Sequence, residues 1–149
     1  MKITICSSIN FSPQIIEIKE KLEEKGHQIN IPYFTQKILN KEASYGEFIK
    51  TKEEKGDISL RNTQSIDLIK RHKELIETSD AILVLNLTKN KIEGYIGGNT
   101  LMEMGFAHVY NIKIFLFNEI SLKSERMHYI DEILDMKPIV INGNLDNIK

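Results

Sequence analysis

Five short runs of aliphatic and β-branched residues, alternating with segments that carry a helical stripe, leave this chain few ways to fold. The runs are residues 2–8 (KITICSS), 27–32 (HQINIP), 80–87 (DAILVLNL), 113–118 (KIFLFN) and 138–141 (PIVI). After the first run, Ser12-Pro13 offers an N-cap with proline at the first helical position, Ile15, Ile18 and Leu22 recur at helical spacing with Ile16 widening the stripe, and Gly26 ends the helix. Two strands joined through a helix lie parallel, because such a connection crosses over instead of turning back as a hairpin. Residues 59–78 read as a helix whose buried face is marked by Leu68, Ile69, Leu75 and Ile76. Residues 98–110 and 124–134 read as two more. The run at 80–87 is the most hydrophobic and is expected at the centre of the sheet, buried on both faces. The alternation predicts an α/β fold: a doubly wound, five-stranded parallel sheet with helices on both faces. Residues 33–57 interrupt it. They are rich in lysine and glutamate, carry Tyr33, Phe34, Tyr45 and Phe48, and form a partly helical excursion, either a solvated connector or a lid over the strand ends.

Composition narrows the function classes. At 149 residues the chain fits one domain, and 41% apolar residues supply a core. A formal net charge of −1 lacks the positive excess that a nucleic acid polymer or an anionic membrane surface requires. The single cysteine, Cys6, excludes an intrachain disulfide framework and a multi-cysteine zinc site. His27, His108 and His128 show no metal-ligand spacing, so neither a metal nor a cofactor is expected. No secretory signal and no membrane-length apolar stretch is visible, so the expected setting is cytoplasmic.

In sheets of this kind ligands bind beyond the carboxyl ends of the strands. That singles out residues 6–12, residues 86–99 and the start of the helix at Gly98. Gly97-Gly98 allows a ligand close to the backbone, beside helical N–H groups suited to a phosphate or other anion, and Asn99 lies with them. Glu103 follows within the helix, where its carboxylate could meet a developing oxocarbenium centre. Thr100-x-x-Glu103 also spells a capping box, in which the glutamate would turn back on its own backbone. Asn86 closes the central strand and offers two donors and an acceptor, as ligand contact or as strand-end turn.

The start CSSINFSP, the helix running into SDAILVLN, and GGNTLMEMGFAHVYNIKIFLFN together resemble the nucleoside 2-deoxyribosyltransferase-like proteins, which include the deoxynucleoside-5′-monophosphate N-glycosidases. The family motif glycine-x-x-x-glutamate-x-glycine-x-alanine stands here as residues 99–107, with Asn99 in place of the first glycine. The resemblance implies a flavodoxin-like sheet and cleavage or exchange of the bond between a base and deoxyribose. It implies Glu103 as nucleophile, a small-molecule nucleoside or nucleotide as ligand, and a homodimer or higher homo-oligomer. The family's first loop, cysteine-glycine-serine-isoleucine-arginine, becomes Cys6-Ser7-Ser8-Ile9-Asn10, leaving Ser8 and Asn10 as hydrogen-bonding groups in place of the arginine. His72 lies eight residues before Asp80, where the nucleotide hydrolases carry an aspartate. It is either a buried core residue or a group that contacts the sugar, orients Glu103 or protonates the leaving base. With His72 merely structural, the same crevice would bind a nucleotide without turning it over. Gly97-Gly98-x-Thr100-x-x-Glu103 is also similar to the signature of the cytokinin-riboside-phosphate phosphoribohydrolases, one residue short, which would put ribose in place of deoxyribose. Tyr33, Tyr45 or Phe48 could stack on a base, and residues 126–129 (RMHY) could reach a neighbouring subunit's site.

Overall fold

A computed structural model describes residues 1–62, 67–122 and 127–149, with the side chains of 57–62 left aside. Its five strands are β1 (Lys2–Cys6), β2 (Gln28–Asn30), β3 (Ala81–Val84), β4 (Lys113–Leu116) and β5 (Ile139–Val140). They form one all-parallel sheet in the order β2-β1-β3-β4-β5, the flavodoxin-like order, with β3 at its centre. The register runs Ile3↔Ala81 and Cys6↔Val84 between β1 and β3, then Val84↔Leu116 between β3 and β4.

Alternate residues of the inner strands feed two separate cores. Ile3 and Ile5 of β1, Ala81 and Leu83 of β3, and Phe115 of β4 pack against Ile15, Ile18 and Leu22 of α1 (Ser12–Glu24), with Leu145 and Ile148 closing the edge. On the opposite face Cys6, Ile82, Val84, Ile114 and Leu116 pack against Ile76 of α4 (Leu68–Glu77), Met104 and Ala107 of α5 (Gly98–Val109), and Ile133 of α6 (Ile130–Asp135). Helices therefore cover both faces, as the sequence predicts.

The excursion contains α2 (Tyr33–Leu39) and α3 (Tyr45–Asn62), the latter broken at Gly56, whose φ of +79° a side-chain-bearing residue rarely adopts. Four expectations are corrected here. The helix predicted over 59–78 is divided: its start belongs to α3, residues 63–66 lie outside the described residues, and α4 begins afresh after Asp67, whose carboxylate accepts from Lys70 N at 2.9 Å. Ile69, predicted to be core, is exposed, while His72 and Ile76 occupy the buried stripe. The helix predicted over 124–134 begins only at Ile130, and residues 123–126, Arg126 among them, lie outside the described residues. Ser12 is the first helical residue and not the cap. Its hydroxyl donates to Ile9 O at 2.8 Å and meets Thr35 Oγ1 at 2.8 Å, which docks α2 on α1. Among the described residues no helix is long and apolar enough to cross a membrane.

Candidate functional site

The strand order reverses between β1 and β3, so the chain leaves these neighbours in opposite directions and a crevice opens beyond their carboxyl ends. Ser7 Oγ donates to Leu85 O at 2.8 Å, tying the exit of β1 to that of β3. Ser8 then caps the turn at Ile9–Phe11, accepting from Asn10 N at 3.3 Å. The loop from β3 to α5 is pinned from below: the Tyr129 hydroxyl donates to Ile96 O, and Ile96 N donates to Met127 Sδ at 3.4 Å. Gly94 sits in this loop at φ +63°, where a Cβ would strike the carbonyl oxygen of Glu119. Met127 and Tyr129 thus turn inward to hold the loop.

The N-cap of α5 is Gly97, with no side chain capping it. Thr100 is inside the first turn and Glu103 in the second. The capping box, which requires Thr100 at the cap, is therefore not formed.

Between these elements lies a cavity of about 210 Å³. Ser8, Gly97, Gly98, Asn99, His72 and Glu103 all line it. His72 projects from α4, which is seated on β1 by a buried polar contact: Thr4 Oγ1 and Ser79 Oγ are 2.8 Å apart, and Ser79 Oγ donates to Leu75 O at 2.8 Å. His72 Nε2 lies 3.6 Å from a Glu103 carboxylate oxygen and 3.6 Å from Cys6 Sγ at the end of β1. The donor atoms of Cys6, His72 and Glu103 lie within 4.8 Å of one another. Linear spacing hides this donor set, because its members come from a strand end and two different helices.

Burial decides the charges. His72 is 7% exposed, and burial, with the Arg71 guanidinium adding to it, pushes its pKa down to about 4. The carboxylate 3.6 Å away does not reverse that direction, so the imidazole is neutral near pH 7. Burial pushes the Cys6 thiol well above its ordinary value, and the Glu103 carboxylate pushes it further. Cys6 is therefore a protonated thiol and no nucleophile by itself.

Two residues expected at the ligand are placed elsewhere. Asn86 is fully buried, and its amide is consumed by Asn118, just past β4: Nδ2 donates to Asn118 O at 2.8 Å and Oδ1 accepts from Asn118 N at 2.8 Å. The strand-end reading is the one the geometry supports. Asn10 does not line the cavity. Its Oδ1 accepts from Ser8 Oγ at 3.1 Å and Lys52 Nζ at 2.7 Å, and its carbonyl accepts from Tyr45 OH at 2.7 Å, so it fastens α3 to the β1 loop. Of the excursion's aromatics Tyr33 and Phe34 reach the cavity, whereas Phe48 stacks edge-on against Phe34, 5.0 Å between ring centroids.

Sequence reasoning missed Arg71, Lys52 and Lys89, three cationic side chains on the cavity wall. Lys89 Nζ donates to Ser8 Oγ at 3.2 Å and lies 5.3 Å from the centre of the Tyr95 ring. Arg71, the neighbour of His72, was the readable one: adjacent helical residues diverge by about 100°, so with His72 inward Arg71 points to the helix flank that borders the crevice. No family model matches the chain, and neither a curated protein nor a solved structure matches it.

Proposed function

We propose that the chain cleaves or exchanges the N-glycosidic bond of a nucleoside or nucleoside monophosphate, with Glu103 as nucleophile. The observation that carries this reading is the Glu103 carboxylate beside a neutral, buried His72 on the wall of a cavity at the sheet's switch point. A carboxylate so placed attacks the anomeric carbon as the base departs, giving a glycosyl ester that water or a second base resolves. Aromatic faces from Tyr33, Phe34 and Tyr95 suit a planar base, and Lys52, Arg71 and Lys89 suit a phosphate.

The lowered pKa favours one of the roles open to His72. A group with a pKa of about 4 is protonated in roughly one molecule per thousand at pH 7, which makes it a poor acid for the leaving base. His72 acts instead as a positioning residue. Its contact with Glu103 is slightly longer than a hydrogen bond, and contacts of that kind in an unliganded site shorten when substrate fills it.

Incubation with ribo- and 2′-deoxyribonucleosides and their 5′-monophosphates, followed by chromatography for free base, tests the proposal. Glu103→Gln lowers base release by about 10³-fold or more while the fold is retained. Equal release by both proteins would remove Glu103 from the chemistry. The second reading, a nucleotide-binding module without turnover, draws on the neutral His72 standing where the resembled hydrolases carry a carboxylate. Saturable binding with no base released by the wild type would establish that reading.

A further inference from the structure

Cys6 has no part in the proposed reaction, yet its sulfur is buried against His72 with Glu103 close by. We propose that Cys6 Sγ, His72 Nε2 and a Glu103 carboxylate oxygen form a three-ligand site for a thiophilic divalent cation of the Zn²⁺ class, its fourth position open to the cavity.

The distances carry the inference. Ligand bonds of about 2.3 Å to sulfur and about 2.05 Å to nitrogen or oxygen, set at tetrahedral angles, place sulfur and nitrogen about 3.5 Å apart and nitrogen and oxygen about 3.4 Å apart. The observed separations are 3.6 Å for Cys6 Sγ to His72 Nε2 and 3.6 Å for His72 Nε2 to Glu103 Oε1. A separation long for a nitrogen–oxygen hydrogen bond is within about 0.2 Å of the edge of a zinc tetrahedron. The third edge, sulfur to carboxylate, lies within 4.8 Å and closes by rotation about the side-chain torsions of Glu103, which is half-buried and sits on the cavity wall. Three protein donors and one open position is the arrangement of an accessible zinc site, whereas a purely structural one is closed by four. Thiolate and imidazole together favour Zn²⁺ over Mg²⁺ or Ca²⁺, which take oxygen donors.

The proton balance is simple. The cation displaces the thiol proton of Cys6, so one proton leaves to solvent for each ion bound. His72, already neutral, gives the lone pair of Nε2, and its single proton moves to Nδ1. Glu103 enters as a carboxylate. An ion held this way takes the electron pair that Glu103 would use on the anomeric carbon, so it opposes the proposed reaction. That consequence rests on the proposed function, whereas the binding site does not.

Co²⁺ is the probe, because a cobalt–thiolate bond gives an intense near-ultraviolet charge-transfer band and Cys6 is the chain's single cysteine. The untagged, metal-stripped chain of 149 residues is titrated with Co²⁺ and then with Zn²⁺. One equivalent of Co²⁺ raises the band, Zn²⁺ abolishes it, and near-isosteric Cys6→Ser never shows it. Losing an outer-shell partner costs about 10–100-fold in metal affinity, so losing a direct ligand, in His72→Ala or Glu103→Gln, weakens Co²⁺ by more than about tenfold. Absence of the band in the wild type, or affinity unchanged in both His72→Ala and Glu103→Gln, overturns the site. Circular dichroism confirms that each variant is folded before it is scored. Base release is measured separately: a band without base release leaves the metal site standing and the reaction refuted, and base release without a band does the reverse.

Discussion

The two faces of the sheet are made from alternate residues of the same strands, and they have been put to different uses. The face under α1 is closed by Ile3, Ile5, Ile15, Leu22, Leu83 and Phe115, aliphatic or aromatic throughout. The face under α4 and α5 is apolar too, but at the ends of β1 and β3 its packing gives way to Cys6, His72 and Glu103, the last two on the wall of a cavity. One face holds the strands together. The other uses the rigidity so obtained to keep titratable groups where water would otherwise disperse them.

The comparison predicts that changes on the first face act on stability and changes on the second act on chemistry and pH. The largest stability effect belongs to Phe115→Ala, which empties the centre of the α1 face and costs about 3–5 kcal/mol in urea unfolding. A loss under about 1 kcal/mol would mean that this face tolerates cavities, and the contrast would collapse.

Next comes acidification. The folded-state pKa of His72 is about 4, below the unfolded value near 6.5, so between these values the unfolded chain takes the proton that the folded chain refuses. Stability is therefore complete above pH 6.5 and is lost as pH falls towards 4, by about 3 kcal/mol at most. His72→Gln removes that dependence. The wild type loses stability relative to this variant across the window, and a pH-independent gap would break the account of His72 as a buried neutral base.

Asn86→Ala sharpens the comparison, because Asn86 lies at the edge of the site without entering it. It leaves Asn118 N and O unpaired and costs about 1–3 kcal/mol of stability, with ligand affinity at saturating fold unchanged. A weakened affinity in the folded variant would return Asn86 to the binding residues. The smallest effect, of opposite sign, is that of Gly98→Ala. An added Cβ meets nothing within 4 Å, so the helix gains about 0.4–1 kcal/mol while the methyl group narrows the cavity. Higher stability with weaker nucleotide binding is the expected pair of results.

The architecture was legible because a central parallel strand cannot disguise itself: Ala81–Val84 is buried on both faces, and only an unbroken apolar run satisfies that. The helix containing His72 was legible in period but not in length, since its fresh start at Asp67 depends on a side-chain cap that competes with continuing the helix. Glu103 and His72 were both named from the sequence, and the geometry puts them on one cavity wall. Asn86 was misplaced because its type and position fit a ligand contact as well as a strand clamp, and only the neighbouring strand end at Asn118 decides between them. Cys6 is a small buried residue at the end of β1. That it also faces two donors is a property of the packing, and no local pattern encodes it.

The bond from Ser7 Oγ to Leu85 O joins residues 78 apart in the chain. Cys6 and His72, which meet beside that tie, are 66 residues apart. Contacts of such long sequence separation slow folding, because loop-closure entropy is lost before the contacts reward it. The site therefore draws on the non-local, slow-forming part of the fold and on no single local segment.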